Sequence, residues 1–275
     1  MLDLPRSARL AAWGTGVLTG RVPVAGAVAA VVRDDEPHGV RWEDDAGPGP
    51  ARGAQDLAGL LGALAASGGG GGRLLLVLPV PGDPRGLPGP AAVNVAALEA
   101  GECVLFEPGA GAGAGAGVDP GPRWALVPHV TEFGSVWEPG AFVRWDGHAA
   151  APRRAPEASS VAESEQELRV ALATATRALS TLDVARWREE AADRIVAVRD
   201  GALVRDALPP GFAPRALRVV QTAARVLAIV DLATEDDGAA ITSLEATSRA
   251  AALREVGAVA RRALVAAVNA PTGAL

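Results

Sequence analysis

Asp83 and Arg85 stand two residues apart in LLLVLPVPGDPRGLPGP (74–90), where an apolar run gives way to a loop dense in proline and glycine. An aspartate can act as a base or hold a cation, and an arginine fork can hold a carboxylate or phosphate. Asn94, at the start of the next helical stretch, adds an amide. In open α/β sheets ligands gather beyond the carboxyl ends of strands. The unbroken apolar run over 74–80 reads as a central strand covered on both faces. On that reading the loop occupies a strand end where a ligand would sit. The same residues also make ordinary turns, because Asp before Pro and Gly after Pro are turn chemistry.

A second group lies in PHVTEFGSVWEPG (128–140). His129, with Glu132 and Glu138 nearby, could move protons or hold a metal, although a polar connecting loop accounts for it more simply. Trp137, between Ser135 and a Pro–Gly pair, is the tryptophan expected to be exposed and to line a pocket or interface. The candidate ligand-binding residues are therefore Asp83, Arg85, Asn94, His129 and Trp137. No catalytic residue, metal ligand or cofactor is assigned. The histidines (His38, His129 and His148) lack metal-ligand spacing, and the chain has no phosphate-cradling loop, no G-x-S-x-G, no H-E-x-x-H and no C-x-x-C. The single cysteine, Cys103, sits in the apolar stretch ECVLF and reads as a core residue.

Helices are expected over 5–19 (with Ser7 as a possible cap), the segment VPVAGAVAAVV (22–32), 54–67 and 91–101, the last closed by Gly101. Strands are expected at HGVRW (38–42), 73–80, ECVLF (102–106), RWALVPHV (123–130) and AFVRW (141–145), with TEFGSVWEPG (131–140) as a turn or hairpin connection. From about residue 146 the composition turns to Ala, Pro and Ser and reads as a linker. Beyond it every segment is helical: 159–182, 183–200, 214–238 and 241–269, the last with a possible break at Gly257. On 214–238, Leu217, Val220, Ala224, Leu227 and Val230 form the expected apolar stripe. Asp231 interrupts that stripe and would need a basic partner.

The fold class is thus an α+β or α/β first half, residues 1–150, with a roughly five-stranded sheet, followed by an all-α helical bundle, residues 151–275. The chain has 275 residues, 49% of them hydrophobic and 21% charged, which is a globular composition. All of its basic residues are Arg, with no Lys and no Tyr, so its composition resembles that of proteins from GC-rich actinobacteria. A net charge of −6 lacks the footprint of a nucleic-acid binder. No segment reads as a signal peptide or membrane span, and a cytoplasmic location is expected. With no catalytic motif, the reading is a non-enzymatic interaction or regulatory module, docking a partner or a second copy through its C-terminal helices. The alternative is a small-molecule binder or enzyme with its site around Asp83.

Overall fold

The structure is a computed structural model, and it describes residues 2–43, 51–66, 72–109, 123–135, 138–151, 160–181, 201–203, 207–235 and 243–271. Trp137 and the helix expected over 183–200 lie outside the described residues. The chain divides into two compact units: Pro5–Pro156 with Asp206–Pro210, and Met1–Leu4 with Glu157–Arg205 and Gly211–Leu275. No helix among the described residues is long and apolar enough to cross a membrane.

The first unit holds helices α1 (Arg6–Leu18), α2 (Val24–Val32), α3 (Leu57–Ala66) and α4 (Ala91–Ala100), with strands β1 (Gly39–Trp42), β2 (Arg73–Val77), β3 (Cys103–Glu107), β4 (Trp124–Ser135) and β5 (Glu138–Ala149). The strands form one mixed sheet in the order β1-β5-β4-β3-β2, in which β1 runs parallel to β5 and the other pairs are antiparallel. Strand β2 is therefore an edge strand, not the central one its apolar run suggested. It is buried all the same. Leu75 and Val77 pack with Val93 and Ala97 of α4 on one face, and on the other a methyl group at Gly14 of α1 would run into the Leu74 side chain. Its edge is closed by one hydroxyl: Thr15 Oγ1 donates to the Leu74 carbonyl and accepts the Leu74 N–H, both at 3.0 Å. At the opposite edge, the Val40 N–H donates to Gln55 O (2.8 Å), and Asp56 caps α3 by accepting the Gly59 N–H at 2.7 Å.

Ser7 does not cap α1. It lies inside the helix and is fully buried, and its backbone N–H donates to the Glu102 carboxylate at 2.7 Å. A side chain from the start of β3 thus replaces the local cap.

The expected turn over 131–140 is mostly strand. Strands β4 and β5 stay in register from Trp124↔Ala149 to Ser135↔Glu138. Strand β3 pairs with residues 124–126 and β1 with 144–147, so the far half of the hairpin extends past its neighbouring strands, with the Glu36 N–H bonded to the Ala141 carbonyl at 2.9 Å.

Pleating sorts the side chains. Trp42, Trp124 and Phe106 share one face, with Trp124 stacked on Phe106 at 4.7 Å and meeting Trp42 edge-on at 5.4 Å. The Trp42 indole lies against Gly147 of β5, where a methyl carbon would come within 2.5 Å of the ring.

In the second unit, α5 (Val161–Thr181) opens on a capping box: the Ser160 N–H donates to Glu163 Oε2 at 2.7 Å, and the Glu163 N–H to Ser160 Oγ at 3.2 Å. Helices α6 (Pro214–Glu235) and α7 (Ser243–Val268) follow. α7 runs unbroken through Gly257, which instead lets the helices approach closely: a methyl there would sit 3.3 Å from Val230. The buried residues of α6 are Ala216, Val219, Val220, Ala223, Ala224, Val226 and Ala233; of the expected stripe Val220 and Ala224 are among them, while Leu217 is exposed, as is Asp231.

Replacing Gly147 by Ala forces the Trp42 ring off β5. The expected result is a loss of about 1–3 kcal/mol in urea unfolding; an unchanged midpoint would show that the ring contact is dispensable.

Candidate functional site

The 79–90 loop is built from two turns. The Asp83 N–H donates to Val80 O at 2.9 Å, with Pro81 and Gly82 (φ +88°) between them, the pattern of a type II turn. A second turn spans Pro84 to Leu87, with Gly86 at φ +86°. Arg85 grips Asp83 with Nε to Oδ1 at 2.6 Å and Nη2 to Oδ2 at 3.1 Å. Asn94 Oδ1 accepts the Gly89 N–H at 2.9 Å and ties the loop to α4. His129 is on β4, exposed, and paired in register with Arg144, not on a loop. Asp83, Arg85 and Asn94 are thus held by local bonds, while His129 belongs to the open face described below.

Sequence reasoning missed a buried network. The Trp145 indole N–H donates to His38 Nδ1 at 3.1 Å, with His38 2% exposed. An indole nitrogen can only donate, so Nδ1 must be bare and the imidazole proton sits on Nε2. Nε2 lies 3.2 Å from Asp35 Oδ2 and donates to it. Arg6 then holds both oxygens of Asp35, Nε to Oδ2 at 2.8 Å and Nη2 to Oδ1 at 2.7 Å, and buried Arg9 places Nη2 3.5 Å from Oδ2. Burial works against the Asp35 charge, but the Arg6 fork and His38 overcome it and hold the carboxyl below its ordinary range. Burial lowers the His38 pKa despite the carboxylate beside it. Glu102 goes the other way: burial raises it, against the Ser7 N–H and the charges of Arg6 and Arg9. A histidine on a carboxylate suggests a general base, but both of its nitrogens are occupied and the ring is sealed from solvent. The network therefore acts as a clamp, joining α1, the segment after α2 and β5.

The other feature is the sheet face opposite Trp145. Helix α4 covers Leu75, Val77, Cys103, Leu105, Ala125 and Val127 there. Further along, no helix among the described residues of this unit lies on it. Phe133 and Phe142 stack at 4.5 Å and are 42% and 55% exposed. Beside them Arg144 forks onto Asp146, Nε to Oδ1 at 2.7 Å and Nη2 to Oδ2 at 3.0 Å. Arg41 reaches Asp146 at 3.3 Å and Glu43 at 2.6 Å. Partial burial would raise Asp146, but the Arg144 bonds and the Arg41 charge lower it, and Asp146 in turn raises Arg144.

Comparison with known proteins supplies a family. Residues 7–159 match the model of the Rv1486c-like protein N-terminal domain, and residues 162–265 that of the Rv1486c-like protein C-terminal domain. The uncharacterized protein Rv1486c of Mycobacterium tuberculosis (strain ATCC 25618 / H37Rv) is 31% identical over 250 residues, covering 84% of this chain and 80% of that protein. The uncharacterized protein MT1533 of strain CDC 1551 / Oshkosh has the same identity and coverage. No solved structure matches the chain.

Truncating Asp35 to Ala leaves His38, Arg6 and Arg9 facing one another without their anion. A loss of about 3 kcal/mol or more is expected in denaturant unfolding, and a loss below about 1 kcal/mol would show that the clamp is not structural. The His38 contribution to the pH dependence has a definite sign. The folded chain binds a proton at His38 less readily than the unfolded chain does, so stability falls as pH drops below 6.5. Asp35 adds a further loss once pH falls below its ordinary value of 3.8. Buried Glu102 acts in the opposite direction, so the check is a difference: in thermal melts from pH 7.5 to 5 the Tm of the unaltered chain should fall relative to that of His38→Gln.

Proposed function

The chain belongs to the Rv1486c-like protein family, and on that footing we propose that it is a non-catalytic interaction module whose docking surface is the open sheet face along the β4–β5 hairpin. One observation carries the reading: Phe133 and Phe142 are stacked on each other and exposed on an arm that extends past its neighbouring strands. Adjacent exposed aromatics flanked by ordered polar groups are the composition of a protein-binding surface. The rings are already positioned by Gly140, over which Phe133 lies: a methyl there would come within 2.5 Å of the ring. Little conformational freedom is lost when a partner covers them.

The C-terminal helices, expected to provide the docking surface, spend their small apolar residues on each other. Of their large hydrophobic residues, Val170 on α5 and Leu217 on α6 are exposed among the described residues. A cytoplasmic setting accords with a chain whose single cysteine is buried.

The double variant Phe133→Ser, Phe142→Ser tests the docking face. Both side chains are exposed, so the variant should fold with a circular dichroism spectrum like that of the unaltered chain. Immobilised in cell extract, the unaltered chain should retain a discrete protein that the variant loses. Identical capture by the two would overturn the assignment of the face.

A further inference from the structure

We propose that the occupant of this face is a second copy of the chain, docked face to face about a two-fold axis that crosses β5 at Trp145; the inference rests on the docking-face reading above. The pleat puts Phe142, Arg144, Asp146 and His148 of β5 on one side of the sheet, with His129 and Phe133 of β4 and Arg41 of β1. The central charged groups, Arg41, Arg144, Asp146 and Glu43, are two cations and two anions bonded to one another. This patch is neutral on a chain of net charge −6. Self-association of a charged chain is opposed by its own field, and that opposition is weakest where the local charges cancel. A strongly basic or strongly acidic partner gains nothing from such a patch.

The order of charge along β5 selects the second copy. A two-fold axis lying between the sheets, at right angles to the strands, reverses the strand direction of the second copy. Placed at Trp145, it sets Arg144 over Asp146 of the second copy and Asp146 over its Arg144. Each carboxylate then meets a guanidinium from above as well as from its own strand, and Phe142 comes over His148. An isologous contact of this kind needs a cation and an anion equidistant from the axis on the same face, and residues 144 and 146 meet that condition.

The test uses the full purified chain in sedimentation equilibrium. The unaltered chain should dimerise. Arg144→Asp sets Asp over Asp across the axis and Asp146→Arg sets Arg over Arg, so each should raise the dimer dissociation constant by roughly tenfold or more. Mixing the two single variants should restore a dimer near the original affinity, since each heterodimer contact again pairs Arg with Asp. Loss of the bond within a strand cannot be repaired by mixing, so this result is specific to the axis. An unaltered chain that stays monomeric at the highest concentration reached would overturn self-docking. So would a dimer that both single variants form equally well, or a mixture no tighter than either variant alone. If self-docking fails while the Phe133→Ser, Phe142→Ser variant still loses a captured protein, the docking face stands with a different occupant. If capture is also unchanged, both readings fall.

Discussion

Trp145 carries one polar atom, an N–H that can only donate, and the protein buries it on β5, the strand beside the β1 edge. Unanswered, that donor would cost about 1–3 kcal/mol. His38 answers it, which leaves the imidazole proton on Nε2 and creates a second buried donor. Asp35 accepts that proton, and a carboxylate at this depth needs cations in turn. Arg6 and Arg9 supply them from successive turns of α1, three residues apart on one side of the helix. Each member satisfies the one before it, and the series runs from the sheet to the helix. The position of α1 against the sheet follows, and so does its cap, because the same end of α1 donates its Ser7 N–H to Glu102.

The open face has a geometric origin. Helix α4 has ten residues, about 15 Å of helix, while β4 and β5 have twelve each, about 40 Å of strand. One short helix can cover β2, β3 and the start of β4, where its cluster lies, and no more. On the opposite face the indole groups close the surface themselves: Trp42 fills the space above Gly147, and Trp124 bridges Trp42 and Phe106. One face is thus sealed by aromatic packing, and the other ends in two stacked phenylalanines facing solvent.

Most elements of the first unit were legible because their signals are local. Apolar runs and Gly101 after α4 each depend on neighbours in sequence. The errors fall where distant residues decide. An unbroken apolar run reports burial on two faces, and β2 has that burial at an edge because Thr15, 59 residues away, closes its open side. Asp35 stands in an acidic run, Asp34–Asp35–Glu36, and its partners Arg6 and His38 are identified only by the fold. The one available sign was Arg9, a charge set among Ala8, Leu10 and Ala11. Residues 131–140 looked like a turn because their glycines and proline mask a hairpin in which Gly134, at φ +90°, and Gly140 serve the strand pairing and the Phe133 ring.

A chain without lysine uses the same guanidinium fork for opposite purposes, and burial decides which. Arg6 and Arg144 each hold an aspartate through two bonds of nearly equal length. Asp35 is further fixed by His38 and Arg9, so no oxygen of that pair has anywhere else to go. Arg144 has close to half its side chain in solvent, and the Asp146 oxygens also face Arg41. In the proposed dimer each carboxylate would gain a guanidinium from the second copy while keeping its own, and exposed pairs of this kind add little net affinity. There the charges would set register and exclude mismatched partners, and affinity would have to come from elsewhere. Covering an exposed phenylalanine is worth about 1.5–3 kcal/mol, and in the proposed dimer two such rings, held in place before contact, would supply the attraction that the ion pairs only orient.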